Sequence, residues 1–444
     1  MQHPSDGHLA DWQLNDWLTY LEKLHPQEID LGLERVAEVY QRLGKPRPGK
    51  QTISIAGTNG KGSVCAHLTA LAAASGLSCG SYTSPHLLAY NERFRINGQL
   101  ATDKNICLAF AQIETVRAEI SLSYFEFSTL AGILLMAEQD LDIAVFEVGL
   151  GGRLDAVNIL DADCAIITSI DLDHQQWLGN SRELIALEKA GILRSFTAEA
   201  GSHRQSIVIG DRQPPDSLLR VVLESQQSAA FLGSDFDWHQ TEDGVEISLS
   251  YSASVEKIKL PTSPLPAPVQ NDNLVVAFQA LDFLIKPLLL DTAKLLAEFK
   301  RMPLRGRLEQ IASQPDVFLD VAHNPAAAEV LATWLKHHMV QQGVPRTKVW
   351  AVVAMLADKD VLTVCQIIEP WVTSWHLAGL CGPRGQSAEE LQKAISPGLQ
   401  QPQRQYETVS LALEVVRELA APHDLILVFG SFLTVEQAIR YWNE

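Results

Sequence analysis

The chain has 444 residues, with 53 acidic against 35 basic side chains and a formal net charge of −18. That balance, with no basic tract, argues against a nucleic-acid partner, and no apolar run reaches the roughly 18 residues that would read as a membrane span. The length predicts two domains, each able to bury its own core.

Residues 8–24 and 30–43 read as amphipathic helices, the second with Asp30 as a candidate N-cap. Ile53-Ser54-Ile55-Ala56 is short, apolar and β-branched, and reads as a buried strand. Gly57-Thr58-Asn59-Gly60-Lys61-Gly62-Ser63 follows, and Val64 to Ala74 reads as a helix. Strand, glycine-rich turn and helix start form a phosphate-binding layout, because the backbone can wrap an anion and the free N–H groups point at it. Lys61 adds positive charge, and Thr58 or Ser63 adds a hydroxyl for Mg²⁺. The spacing is shorter than in a standard P-loop: only Thr58 and Asn59 separate Gly57 from Gly60-Lys61, and Gly62 separates Lys61 from Ser63.

Ser78 to Thr83 reads as a strand ending in Ser84-Pro85-His86, followed by a polar loop over Asn91–Arg95 and a turn at Asn97-Gly98. Residues 103–120 read as a helix, and Tyr124-Phe125-Glu126-Phe127 leads into another. Ile143 to Phe146 is an apolar strand stopping at Glu147, before a second glycine-rich loop from Gly149 to Asp155. Cys164 to Thr168 is a strand running into Ser169-Ile170-Asp171-Leu172-Asp173-His174; helix 181–194 carries Glu188-Lys189, and Ile207 to Ile209 is a strand. Residues 228–262 alternate in short segments and predict a small antiparallel extension, Asn271-Asp272-Asn273 opens a helix to Leu284, and a boundary is expected near Pro287. Beyond it come a helix at 291–300, Arg305-Gly306-Arg307, a strand from Val317 to Asp320, a helix opened by His323-Asn324-Pro325, and strands at Val349–Ala354 and Leu425–Phe429.

Buried strands alternating with helices give an α/β fold class with two domains. Residues 1–287 would hold a P-loop-type, mostly parallel sheet flanked by helices with the antiparallel extension, and 288–444 a smaller Rossmann-like α/β domain. The six cysteines form no CxxC pair, and most sit in apolar runs and read as buried thiols; with the polar, Pro4-containing start from Met1 to Asp11, which does not read as a signal peptide, they make the cytoplasm the expected location.

Open α/β sheets bind ligands beyond the carboxyl ends of their strands. Ser84, Glu147 and His174 stand at such ends beside the phosphate loop, and one hard cation, Mg²⁺ by preference, would satisfy all three. Lys189 beside that metal would repel it unless neutralised or carbamylated. Tyr124 to Phe127 is either core or a stacking platform for a flat ring. Asp320 and His323 repeat the strand-end pattern, as ligand groups or as helix caps. Arg305 and Arg307, if they face phosphates, would neutralise a transferring phosphoryl group.

These segments in this order resemble the bacterial dihydrofolate synthase/folylpolyglutamate synthase family, a branch of the ADP-forming amide ligases that includes the muramyl-peptide ligases. The carrying motifs are Ala56 to Ser63, Thr83-Ser84-Pro85-His86-Leu87, Phe146 to Ala156, Thr168 to His174, Glu188-Lys189-Ala190-Gly191, Arg305-Gly306-Arg307 and Asp320-Val321-Ala322-His323-Asn324-Pro325. The resemblance implies a ligase that holds ATP between two domains. Its ATP contacts fall on Thr58, Asn59, Gly60, Lys61, Gly62, Ser63, Asn273, Arg307 and Asp320, its metal ligands on Ser84, Glu147 and His174, and its carbamylated lysine on Lys189. Its pterin-binding stretches match Asp30-Leu31-Gly32, Ser123-Tyr124-Phe125-Glu126 and Leu154-Asp155-Ala156, and His323 lies where related ligases approach the amino acid. Lys61, Lys189 and His323 are the expected catalytic groups. The implied substrates are ATP, L-glutamate, 7,8-dihydropteroate and reduced folates, with two Mg²⁺ ions, a monomeric chain, and no nucleic acid or membrane. Alternatives are a muramyl-peptide-type ligase and a folylpolyglutamate synthase without the first activity. Asp171 departs from the family's usual small residue, adding negative charge near the expected metal.

Overall fold

The structure, a computed structural model, describes residues 12–25, 27, 30–196, 203–249, 257–261, 268–286, 288–301, 304–341, 348–382 and 384–443. The start of the first predicted helix, Pro287 and parts of the 228–262 extension lie outside the described residues.

Trp17 and Leu21 anchor helix α1 (Leu14–Leu24), and Val36 and Val39 anchor α2 (Glu34–Arg42). The N-cap of α2 is Leu33, so Asp30 does not cap it: the helix starts a turn later than the sequence suggests, and Asp30 bonds to side chains instead. Strand β1 (Gln51–Ala56) is buried along nearly its whole length, as both faces of a parallel sheet require. Then come α3 (Lys61–Ala74), β2 (Cys79–Tyr82), β3 (Phe94–Ile96), β4 (Gln99–Leu100), α4 (Asp103–Arg117), α5 (Tyr124–Ala137), β5 (Ile143–Glu147), β6 (Cys164–Ile167), α6 (Gln175–Leu178), α7 (Arg182–Lys189), β7 (Ser206–Ile209), α8 (Asp216–Ser225) and β8 (Ser228–Phe231). The sheet order is β4-β3-β2-β5-β1-β6-β7-β8, parallel from β2 to β8.

Two segments differ from expectation. Residues 94–100, read as loop and turn, form an antiparallel hairpin on the sheet edge, because Phe94 pairs with Tyr82 and is fully buried. The 228–262 extension divides: β8 joins the main sheet, and only β9 (Asp237–Thr241), β10 (Gly244–Ser248) and β11 (Lys257–Pro261) make a separate antiparallel sheet.

Helices α9 (Pro268–Leu284) and α10 (Thr292–Arg301) complete the first unit. The division falls after residue 303, beyond the residue-287 boundary read from sequence, because α10 packs on α3. His67 of α3 meets Phe299 edge-on at 5.5 Å in that contact. Burial lowers the His67 pKa to about 3, an effect that Gln270 partly offsets. The unfolded chain therefore takes up this proton first, so stability is present above about pH 6.5 and is lost as pH falls toward 3. His67→Leu is expected to lose less stability than the parent between pH 7 and pH 4, by on the order of a few kcal/mol, read from urea midpoints.

The second unit holds Asp171–Trp177 and the chain from Leu304 on. Its elements are β12 (Arg307–Ala312), β13 (Asp316–Asp320), α11 (Pro325–Gln341), β14 (Val349–Val353), α12 (Val361–Ile368), β15 (Ser374–Ala378), α13 (Ala388–Ile395), β16 (Gln403–Tyr406), α14 (Val409–Leu419), β17 (Leu425–Phe429) and α15 (Phe432–Asn443). The sheet runs β12-β13-β17-β14-β15-β16, parallel except for β12. Leu335, Val353, Trp375 and Phe429 lie fully buried in its core. No helix among the described residues is long and apolar enough to cross a membrane.

Candidate active site

In the first unit β1 delivers the chain to Gly57, where a Cβ would lie 1.7 Å from Thr168 Oγ1. Gly60 adopts φ +87°, and a Cβ there would lie 2.5 Å from Asn273 Oδ1, so glycine at both positions lets the loop close against its neighbours. Thr58 N donates to Ser169 O at 2.7 Å, and Thr168 Oγ1 donates to Asn59 O at 2.6 Å, so the end of β6 braces the turn. Lys61 opens α3 and folds back, its Nζ 2.9 Å from Gly57 O and 3.2 Å from Thr58 O. Lys189, the last residue of α7 and 4% exposed, donates to the same Gly57 oxygen at 2.8 Å. Two ammonium groups on one carbonyl repel each other, so this corner is electrically suited to an anion. Ser63 is buried in the first turn of α3 and its Oγ has no hydrogen-bond partner among the described residues, a polar atom left for a phosphate or a hard cation. The helix start passes the Glu147 carboxylate at Gly62, where a Cβ would stand at ordinary contact distance, 3.7 Å from Oε2.

Glu147 ends β5, is 5% exposed, and accepts the Ser84 N–H at 3.1 Å. These two members of the expected metal set are brought together by the β2–β5 pairing. His174 lies on the Asp171–Trp177 segment, which groups with the second unit. Its backbone is left-handed, φ +50°, and its N–H donates to Asp173 Oδ1 at 2.8 Å. Asp171, the departure from the family pattern, accepts the Leu172 N–H at 2.7 Å. No cluster of three or more His, Cys, Asp or Glu able to hold a metal occurs among the described residues. The Ser84 and Glu147 oxygens fit a hard, oxygen-preferring cation that keeps waters.

The pterin stretches have strong local order. Ser123 caps α5 and forms a capping box with Glu126, whose Oε2 accepts the Ser123 N–H at 2.7 Å. Phe127 is core; Tyr124 and Phe125 are half-buried, Tyr124 meeting Tyr90 edge-on at 5.8 Å and Phe125 lying over Gly149. Leu154 is exposed, Asp155 is buried and accepts the Leu150 and Val157 N–H groups at 2.9 and 3.0 Å, and Ala156 is buried. Burial raises the Asp155 pKa to about 6 against the pull of those backbone donors. Asp30, Leu31 and Gly32 are partly exposed before α2.

In the second unit Asp320 ends β13 and accepts the Leu308 and Ala322 N–H groups at 2.8 and 2.7 Å. Desolvation raises its pKa, opposed by Arg307, which lies 5.3 Å over the Phe432 ring. Arg305 pairs with Glu309 at 2.7 Å. The cap of α11 is Asn324, whose Oδ1 accepts the Ala327 N–H at 3.0 Å, so neither Asp320 nor His323 fills that role. His323 Nδ1 meets Val321 O at 2.8 Å, and its Nε2 faces Asp173 Oδ2 at 3.3 Å. Asp173 also pairs with Lys359 at 2.6 Å. Desolvation would raise the Asp173 pKa, but His323, His174 and Lys359 hold it well below the usual carboxylate range. Sequence reasoning missed Asp173 and Lys359. The signal was a lysine between Asp358 and Asp360, shortly beyond the carboxyl end of β14.

Comparison with known proteins places this geometry in a family. Residues 55–281 match the Mur ligase middle domain, and residues 306–432 match the Mur ligase glutamate ligase domain. The dihydrofolate synthase/folylpolyglutamate synthase of Escherichia coli is 38% identical over 96% of this chain and 95% of its own length. That of Haemophilus influenzae is 36% identical over 96% of both chains. The structure of E. coli FolC in complex with DHPP and ADP superposes with a TM-score of 0.87 at 36% identity, covering 99% of both chains. The bifunctional enzyme of Yersinia pestis complexed with AMPPNP and Mn superposes with a TM-score of 0.86 at 37% identity, covering 100% of both chains. A further structure of such an enzyme, with Mn, AMPPNP and L-glutamate bound, superposes at 0.85. With the phosphate loop, its two lysines and relatives aligned almost end to end, the chain belongs to the dihydrofolate synthase/folylpolyglutamate synthase family of Mur-type ligases.

Proposed function

We propose that the chain is an ATP-dependent, ADP-forming ligase that joins L-glutamate to 7,8-dihydropteroate and to the γ-carboxylate of reduced folates. The observation that carries this is the corner at the start of α3: Lys61 and Lys189 share one carbonyl oxygen, and in the same first turn the buried Ser63 hydroxyl has no hydrogen-bond partner among the described residues. A carboxylate does not react with an amine at neutral pH, because its oxygen is a poor leaving group. The acceptor carboxylate attacks the γ-phosphorus of ATP and ADP leaves. The resulting acyl phosphate is attacked by the glutamate amine, the amide C–N bond forms, and phosphate departs with the C–O bond. Lys61, the N–H groups at the start of α3, and Arg307 would balance the charge on the transferring phosphoryl group. Thr58, Asn59, Gly60, Gly62, Asn273 and Asp320 complete the nucleotide contacts in this reading. Ser84 and Glu147, with His174 as the expected further ligand, are the residues that would hold Mg²⁺, and a bound ion there, with a second expected near Lys189, would supply further charge neutralisation.

ADP release measured with and without dihydropteroate and L-glutamate tests the assignment. Dependence on both substrates is expected, and glutamate-independent hydrolysis would overturn it. Carbamylation of Lys189 is supported by burial of an ammonium beside Lys61; peptide mass spectrometry under native conditions that finds only bare amine would exclude it.

The first unit is assigned nucleotide and pterin binding, and the second glutamate handling. Asp173 takes one of the three N–H donors of Lys359 and also meets His323, so Lys359 keeps N–H donors to offer a dicarboxylic amino acid. Lys359→Met is expected to raise KM for L-glutamate roughly 10- to 100-fold with KM for ATP near the parent value, read from steady-state ADP release. The cytoplasm is supported by cysteines that are all free thiols. A monomer is the expected state, and sedimentation at working concentration checks it.

A further inference from the structure

We propose that Arg35 is the positioning residue of the acceptor surface, fixing Asp30 and Glu126 together and thereby setting affinity for the pterin end of the substrate. The proposal rests on reading Asp30–Gly32 and Ser123–Glu126 as acceptor-binding stretches. Arg35 sits in the first turn of α2 and spans both. Its Nη1 lies 2.7 Å from Asp30 Oδ2, and its Nη2 donates to Asp30 O at 3.1 Å. The same Nη2 lies 3.3 Å from Glu126 Oε1 on α5.

Each acid depends on this guanidinium in a different way. Glu126 is 3% exposed; its Oε2 accepts the Ser123 N–H at 2.7 Å and Arg35 Nη2 at 3.4 Å, while Oε1 has charge contact with the same Nη2 but, among the described residues, no well-directed hydrogen bond. A buried carboxylate with one nearby cation is costly to leave alone, so Arg35 holds the start of α5 in place. Asp30 spends Oδ2 on Arg35 and on His25 Nε2, the latter at 3.0 Å, and His25 Nδ1 meets Ser121 Oγ at 2.8 Å. Among the described residues Asp30 Oδ1 has no protein partner. A carboxylate locked through one oxygen and open at the other suits a ligand edge carrying adjacent N–H and NH₂ donors, which is the recognition edge of a 2-amino-4-oxopyrimidine ring. The planar fork of arginine reaches the Asp30 carboxylate, the Asp30 carbonyl and Glu126 at once, a geometry that lysine, with a single nitrogen, does not reproduce.

Equilibrium binding of 7,8-dihydropteroate to the whole protein with ADP present is the test, alongside thermal midpoints and steady-state KM values. In Arg35→Lys, which keeps a charge beside Glu126, the midpoint is expected near the parent value while dihydropteroate affinity falls roughly tenfold or more. Arg35→Met is expected to lose both affinity and stability. In both variants KM for ATP stays near the parent value. Parent-like dihydropteroate affinity in Arg35→Lys would remove the positioning role and leave Arg35 as structural support only, as would a matching rise in KM for ATP. If the parent itself fails to bind dihydropteroate, the acceptor assignment falls and takes this proposal with it.

Discussion

Lys61→Ala is expected to fold like the parent and to lose ligase turnover by roughly 10²–10³-fold, the scale for removing one preorganised charge from a transition state. The ammonium is held by the Gly57 and Thr58 carbonyls, so in the absence of an anion it is parked on the loop. Helix α3 has buried residues along almost its whole length to hold it in place. Initial rates of ADP release, set against the thermal midpoint, separate the two effects. Turnover within a factor of a few of the parent would mean that the phosphoryl group is stabilised by the loop amides and Lys189 without Lys61.

The second large effect is on the metal. Glu147→Gln keeps a side-chain oxygen to accept the Ser84 N–H, so the β2–β5 edge should survive. What is lost is one negative charge in a nearly fully buried position. The Mg²⁺ concentration for half-maximal activity is expected to rise on the order of 10- to 100-fold, with activity partly recovered at high Mg²⁺. An unchanged Mg²⁺ titration would take Glu147 out of the metal shell.

The glycine-rich turn between β1 and α3 was legible because its signals are local. Gly57, Gly60 and Lys61 follow a β-branched run and precede a helix, and every requirement of an anion site lies within a few residues. The buried strands were legible for the same reason: an apolar run bounded by polar residues is its own signal. The edge hairpin at Phe94 was not, since its short strands are set by pairing with Tyr82 and not by their own alternation. Nor was the start of α2, because Asp30 looks like a cap in sequence and is claimed in space by His25 and Arg35. The unit boundary moved for a related reason: α10 follows a proline that resembles a linker, yet its partner is α3, more than two hundred residues earlier in the chain.

The amino-acid order alone determined the α/β class, the glycine-rich turn between β1 and α3, and the strand ends at Ser84, Glu147 and Asp320, because each depends on contacts between near neighbours or on burial of a continuous run. Only the tertiary structure decided that Lys189 shares an oxygen with Lys61, that Asp173 gathers His323 and Lys359, and that Arg35 links Asp30 to Glu126. Those contacts join residues between five and nearly two hundred positions apart. Charges so placed find each other only after the sheets have fixed where each strand and helix ends.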